Sequence, residues 1–398
     1  MTIRIRTITI GVGQPHPLTF DAIARAAEMA QVIEQVYSAR GYEIQTLRVS
    51  TRPLFTDLAP AKTVDIIAYT EQLQKWLSET GISYLSLGPA LADESSFPLE
   101  YIQSLPRILA NCPALNATVQ IASTEFGLNA AAALPTAQVM LDLSKMTSEG
   151  IGNMRFAMTA NCPLYGPFFP AAFHPDSTWG FSIGLQSVAA LQDTILQTKE
   201  TYPDADTFLA HCSDDIQLFF ETIGRDIEAI AQEYAAKNQV EYYGLDLSPA
   251  PNGEESIAYA IEAMGLGAFG AAGSIAALAQ ITSAIKGAGA TLTTCGYNGI
   301  FLPALEDAGI AARIADATVS LQTLELLSTV CGSGLDTIPI AGNAAPEKIA
   351  ATLLDVAALS LKHRKPLSAR LMPIPGKQDN EIAVFDSPWL YPTPIVKL

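Results

Sequence analysis

The chain has 398 residues, 49% of them hydrophobic and 16% charged, and a formal net charge of -17. That balance supports a large buried core and excludes global disorder. The excess of carboxylates argues against nucleic-acid and anionic-membrane partners, both of which are held by clustered Lys and Arg, and no apolar run has the length of a membrane span.

Short β-rich runs alternate with helical patterns along the whole chain. Strands are expected at Ile3–Ile10, Ile44–Val49, Ile82–Leu87, Ala117–Ala122 and Met154–Thr159. They continue at Gly180–Leu185, Val240–Leu247, Thr291–Cys295, Gly334–Ile340 and Leu367–Pro373, which makes about ten. The run from Asp214 to Lys237 predicts a long outer helix, polar on one side. Ile257, Ile261 and Met264 share a helix face that Gly265 ends, and Ser274 opens another carrying Leu278, Ile281 and Ile285. Leu321, Leu324 and Leu327 repeat the pattern. Strands separated by helices predict an α/β fold with a parallel sheet covered by helices. No Pro/Gly/Ser-rich linker divides the chain, so one barrel-like domain over residues 1–398 is expected.

One motif occurs twice. Gly244-Leu245-Asp246-Leu247-Ser248-Pro249 and Gly334-Leu335-Asp336-Thr337-Ile338-Pro339 share Gly-Leu-Asp-x-x-Pro. A carboxylate there is expected at the carboxyl end of a parallel strand, where barrels and open sheets hold their ligands. The alternative is that both aspartates cap turns or helices. Glu125, after Ser123-Thr124, is a third acid expected at a strand end.

The segment Cys295-Gly296-Tyr297-Asn298-Gly299 ends a strand in a glycine-rich turn and leads to Glu306-Asp307-Ala308-Gly309. Its amides suit a ligand, whereas neither a Walker ending nor a complete Gly-x-Gly-x-x-Gly is present. Of Glu306 and Asp307, neighbours that cannot share a helix face, one is expected to point inward and the other to stay solvated. His174 lies in an aromatic, proline-rich loop, Gly166 to Asp176, and suits acid/base work, metal ligation or a purely structural hydrogen bond. Arg370 is a charge among apolar strand residues, as expected for a ligand anion or a buried ion pair. Cys331 lacks any adjacent base to activate it as a nucleophile. The five cysteines, Cys112, Cys162, Cys212, Cys295 and Cys331, show no Cys-x-x-Cys spacing. Neither a disulfide framework nor a structural zinc is therefore expected, and with no signal-peptide pattern a reducing cytoplasm is the expected compartment.

Several of these segments together resemble the domain-of-unknown-function family seven-one-one. The carrying residues are Arg4-Ile5-Arg6-Thr7-Ile8-Thr9-Ile10, Phe173-His174, Gly244 to Pro251, Glu306 to Gly309, Cys331 to Asp336 and Arg370 to Lys377. The resemblance implies a ten-stranded α/β barrel of two five-stranded halves, similar to the pyruvate formate-lyase-like glycyl radical enzymes; it implies no reaction. Cys295-Gly296-Tyr297 shares letters with some glycyl radical loops, but Thr293 and Thr294 precede it and about a hundred residues follow, so a glycyl radical is not expected.

Three functional classes follow. The first is an enzyme (hydrolase, lyase or isomerase) acting on a small polar or anionic metabolite. In it His174, Asp246, Asp336 and Glu306 are catalytic, while Arg370, Ser248, Asn298 and Glu125 bind substrate. Asp246 and Asp336 are its expected ligands for Mg²⁺ or Mn²⁺. The second is a non-catalytic sensor or carrier with the same pocket, and the third a structural scaffold. Alanine- and glycine-rich helices such as Ala268–Ala279 permit close packing between chains, and a homodimer is the expected assembly.

Overall fold

The computed structural model describes residues 3–398. Nine strands form one continuous path: β1 (Arg4–Gly11), β2 (Leu47–Ser50), β3 (Tyr84–Leu91), β4 (Leu115–Ser123), β5 (Phe156–Ala160), β6 (Gly180–Gln186), β7 (Glu241–Asp246), β8 (Gly334–Ala341) and β9 (Leu367–Ile374). Their order is β8-β9-β5-β4-β3-β2-β1-β6-β7, and two-residue strands beside β1 and β4 bring the sheet to 11 strands. The run from β1 to β5 is parallel throughout. A second block runs the other way. β6 pairs antiparallel with β1 and carries β7, while β9 pairs antiparallel with β5 and carries β8. The protein is thus a mixed α/β fold around a large, mostly parallel sheet.

The expected strand at Thr291–Cys295 does not form a ladder; it makes a single bridge, Leu245 to Thr294. The segment 293–305 instead spans from one end of the path to the other. Leu245 N–H donates to Thr293 O at 3.0 Å, and Ala304 N–H donates to Asp336 O at 3.0 Å. Helix-period apolar residues explain the cover. The predicted outer helix is real and longer than its periodicity indicated, Ala205–Asn238, with Ile216, Phe220, Ile223, Ile227 and Ile230 on its buried face. No helix among the described residues is long and apolar enough to cross a membrane.

The two Gly-Leu-Asp copies share their glycine geometry and little else. Gly244 and Gly334 both have positive φ, 130° and 94°, and a Cβ on either would meet backbone, Thr293 O at 2.9 Å and Ser368 O at 2.4 Å. Asp246 does end its strand, β7. Asp336, however, is the third of eight residues of β8, not at a carboxyl end. Position within a strand depends on pairing far along the chain, which the local motif does not encode.

Candidate functional site

A cavity of about 250 Å³ lies at the amino ends of the five parallel strands and is crossed by the middle of β8 and β9. Its position differs from the carboxyl ends expected above. Each parallel strand contributes a residue near its start: Arg6, Arg48, Tyr84, Asn116 and Ala157. Opposite them stand Asp336 and Arg370, with Glu306 and Ser333 from the connecting segments. Phe168, Phe169, Phe301 and Trp389 form the apolar wall.

Arg370 organises one side. Its Nε donates to Asp336 Oδ1 at 2.7 Å, one terminal nitrogen to Glu306 Oε1 at 2.9 Å, and the other to Met154 O at 3.0 Å. The two carboxylates hold this guanidinium strongly protonated despite its burial. Glu306 Oε2 also faces Arg6 at 3.9 Å. Asp336 Oδ2 has no hydrogen-bond partner among the described residues, so one carboxylate oxygen in the cavity is left available. Glu306, Asp336 and Arg370, singled out separately in the sequence, converge here.

The other side carries a cation without a counter-ion. Arg48 donates from Nε to Thr46 Oγ1 at 3.0 Å, and its terminal nitrogens engage no acceptor among the described residues. Its guanidinium carbon lies 5.5 Å from the Tyr84 ring centroid and 5.2 Å from that of Phe169. Burial, reinforced by Arg6, brings its pKa down to about 9, still protonated at neutral pH. Arg155 also lines the cavity, but its terminal nitrogens donate to the carbonyls of Leu109, Cys112 and Leu115 and so fix a helix end. Arg6, Arg48 and Arg155 carry the same signal that marked Arg370, a cation among apolar neighbours. Arg6 was weighed only for a family likeness, and the other two not at all.

Asp246, Ser248 and Asn298 are gathered elsewhere, around one another. Asp246 is fully buried and accepts four hydrogen bonds: from Ser248 N (3.0 Å), Ser248 Oγ (2.5 Å), Tyr297 N (2.7 Å) and Asn298 N (3.0 Å). Burial pushes its carboxyl up against the pull of those four donors. Asn298, in the left-handed region at φ 48°, accepts from Leu247 N and donates to Cys295 O. Ser248 Oγ accepts from Gly299 N at 3.0 Å. The trio stitches the 295–299 turn closed, which is the turn-capping alternative. It also sets Tyr297, a residue of that turn, into the cavity wall. The expected Asp246–Asp336 metal pair is corrected accordingly, because the lone pairs of Asp246 are engaged by backbone and Ser248 donors. Among the described residues no group of three or more His, Cys, Asp or Glu is arranged to hold a metal ion.

His174 does not line the cavity. It is 1% exposed, packs against Tyr165 and Tyr243, and bonds Thr178 O through Nε2 at 2.9 Å. Burial lowers its pKa against the opposing pull of Asp176, so the ring is neutral and its Nδ1 has no partner. A Cβ on Gly11 would come within 2.5 Å of that nitrogen, which leaves no room for a substrate there. Glu125 is exposed on the turn after β4, away from the cavity. Of the Glu306–Asp307 pair, of which one was expected inward and the other solvated, Glu306 faces the cavity and Asp307 is fully buried. It accepts from Ser256 Oγ, Ile257 N and Ile310 N and thereby starts two helices, Ile257–Ala263 and Ala308–Ala315. All five cysteines are free and buried, and Cys331 Sγ accepts from Gly334 N at 3.3 Å.

Comparison with known proteins places this geometry in a family. The family model described as "Uncharacterised ACR (DUF711)" matches residues 1–386. A UPF0210 protein of Methanococcoides burtonii is 29% identical over 90% of this chain and 80% of its own length. Another, from Pyrobaculum arsenaticum, is 32% identical over 95% of this chain and 86% of its own length. Among solved structures, an anaerobic ribonucleotide reductase from Thermotoga maritima aligns with a TM-score of 0.46 at 10% identity, over 92% of this chain and 80% of that one.

Proposed function

The chain belongs to the DUF711 family, and we propose that it is an enzyme acting on a small anionic metabolite by carboxylate acid/base chemistry. The observation that carries this reading is the cavity lining. In a chain of net charge -17, four arginines and two carboxylates meet in one cavity of about 250 Å³. Among the described residues one guanidinium, Arg48, has no counter-ion, and one carboxylate oxygen, Asp336 Oδ2, has no partner. A ligand anion on Arg48 gains a charge-assisted, bidentate contact. Asp336 then moves a proton at the opposite side of the ligand, and Glu306 serves as the second acid/base group. Arg370 is the positioning residue that holds both carboxylates in place. Hydrolysis, elimination and isomerisation all remain compatible with this set. We further propose that the segment 293–305 closes the sheet into the ten-stranded barrel, since it bonds to both β7 and β8.

Should a divalent cation take part, Glu306 and Asp336 are the oxygen donors that would meet it. A carrier or sensor is the second reading, and one feature favours it: Arg370 already occupies an oxygen of each carboxylate. Turnover separates the two. In a screen of small carboxylic and phosphorylated metabolites, the enzyme converts at least one, and Asp336→Asn lowers kcat by at least 10²-fold with little change in Kd. Ligand binding without turnover of any bound compound would establish the carrier instead.

A further inference from the structure

We infer that the ligand is a small hydroxy or oxo monocarboxylate, held by its carboxylate on Arg48 and by its hydroxyl or carbonyl oxygen on Tyr297 and Ser333. The inference rests on the anionic-ligand reading above and adds a second, neutral recognition point to it. Two observations independent of charge carry it. The Tyr297 hydroxyl and Ser333 Oγ are both buried and both without a hydrogen-bond partner among the described residues, and both residues line the cavity. Tyr297 is 8% and Ser333 3% exposed. A buried hydroxyl left unpaired is destabilising, so two in one wall point to groups that a ligand satisfies. Neighbouring Ser368 spends its proton on Ser333 O at 3.0 Å, so toward the Tyr297 hydroxyl it can act only as an acceptor and it gives Ser333 Oγ no donor.

The donor inventory separates carboxylate from phosphate. Arg370 and Arg155 have their terminal nitrogens engaged by protein acceptors, and Arg6 donates to Gln45 Oε1 at 2.8 Å. Arg48 presents both terminal nitrogens with no carboxylate opposite, whereas the remaining terminal nitrogen of Arg6 faces Glu306 Oε2 at 3.9 Å. One guanidinium fork matches one planar carboxylate, whereas a phosphate dianion needs further cationic donors to neutralise it. Size agrees. The cavity, about 250 Å³, has room for a metabolite of a few carbons. The apolar wall of Phe168, Phe169 and Phe301 suits the short carbon chain between the two polar ends.

The test is calorimetric titration of the full-length protein with matched pairs, 3-hydroxybutyrate and 2-oxobutyrate against butyrate, and with inorganic phosphate. The expected result is that the hydroxy or oxo acid binds about tenfold more tightly than butyrate, the equivalent of one satisfied buried hydroxyl pair. Tyr297→Phe with Ser333→Ala removes that ratio and leaves butyrate affinity unchanged, while Arg48→Gln weakens all the acids together. Circular dichroism melting of each variant shows that the fold is retained. Equal affinity for substituted and unsubstituted acids, binding of phosphate but of no carboxylate, or no binding of any acid at about 10 mM would each overturn the inference. Failure of the acid/base reading looks different: hydroxy acids then bind through Arg48, Tyr297 and Ser333, and nothing turns over.

Discussion

Replacing Asp246 by Ala separates a structural carboxylate from a catalytic one. The substitution removes the acceptor of three backbone amides, those of Ser248, Tyr297 and Asn298, and of the Ser248 hydroxyl. Each stranded buried donor costs about 1–3 kcal/mol. The hydroxyl can rotate away and water can enter the space left by the carboxylate, so we expect a loss near the low end for three amides, about 4 kcal/mol. A chain of 398 residues has an unfolding entropy of about 0.8 kcal/mol/K at the usual value per residue, so the expected fall in Tm is about 5 °C. Asp246→Asn keeps one oxygen but turns an amide toward Tyr297 N–H, and we expect about 2 °C. Scanning calorimetry of the three proteins measures both shifts. Ligand affinity falls in step, because the turn that Asp246 holds carries Tyr297. An Asp246→Ala protein that melts within 1 °C of the wild type yet has lost turnover would refute the structural role and return Asp246 to the chemistry.

Two further outcomes follow from the same geometry. Arg370→Lys keeps the charge but cannot span Asp336, Glu306 and Met154 O at once, so urea denaturation should show a loss of about 3 kcal/mol; a loss under 1 kcal/mol would mean that the three contacts are dispensable. His16 is buried with Tyr69 and Thr51 hydroxyls on its two ring nitrogens, and burial pulls its pKa from 6.5 to about 4, with Asp57 opposing. A folded pKa below the unfolded one gives stability that is present above pH 6.5 and lost as pH falls toward 4, here about 2 kcal/mol between pH 7 and 5. That part of the slope should vanish in His16→Gln, and identical slopes in the two proteins would rule it out.

Which parts of the site were legible follows from the kind of information each needs. Arg370 announced itself because a charge inside an apolar strand run has to be explained locally, Asp336 because its Gly-Leu-Asp motif occurs twice, and Glu306 because it follows a glycine-rich turn. The same logic applied to Leu47-Arg48-Val49 would have found Arg48. Asp246 and Ser248 share one motif in the sequence and Asn298 sits in another, so their convergence was not legible there. Whether a carboxylate faces three amides and a hydroxyl or a cavity depends on where residues fifty positions later return. His174 failed for a related reason: the aromatic loop around it reads as a pocket, and Tyr165, Tyr243 and Gly11 fill that pocket with protein. The amino-end position of the cavity was beyond any local pattern, since it depends on β6 and β9 pairing antiparallel with β1 and β5.

The opposed directions of the two strand blocks give the cavity its charge arrangement. Arg370 lies one residue beyond Ala369, which pairs with Met158, so the middle of β9 stands beside the first residues of β5. A five-strand block alone would expose Arg6 and Arg48 at its amino edge as two mutually repelling cations. The reversed block sets Asp336 and Glu306 across from them, so that repulsion is offset on one side only and Arg48 is left as the unpaired cation. The surrounding surface is acidic, yet at physiological ionic strength charges more than about 8 Å away are largely screened. An anion that has reached the cavity therefore meets Arg48 as its nearest uncompensated charge, while the exposed carboxylates that dominate the -17 of the whole chain lie farther off. Fold direction, and not composition, decides the sign of charge that this cavity accepts.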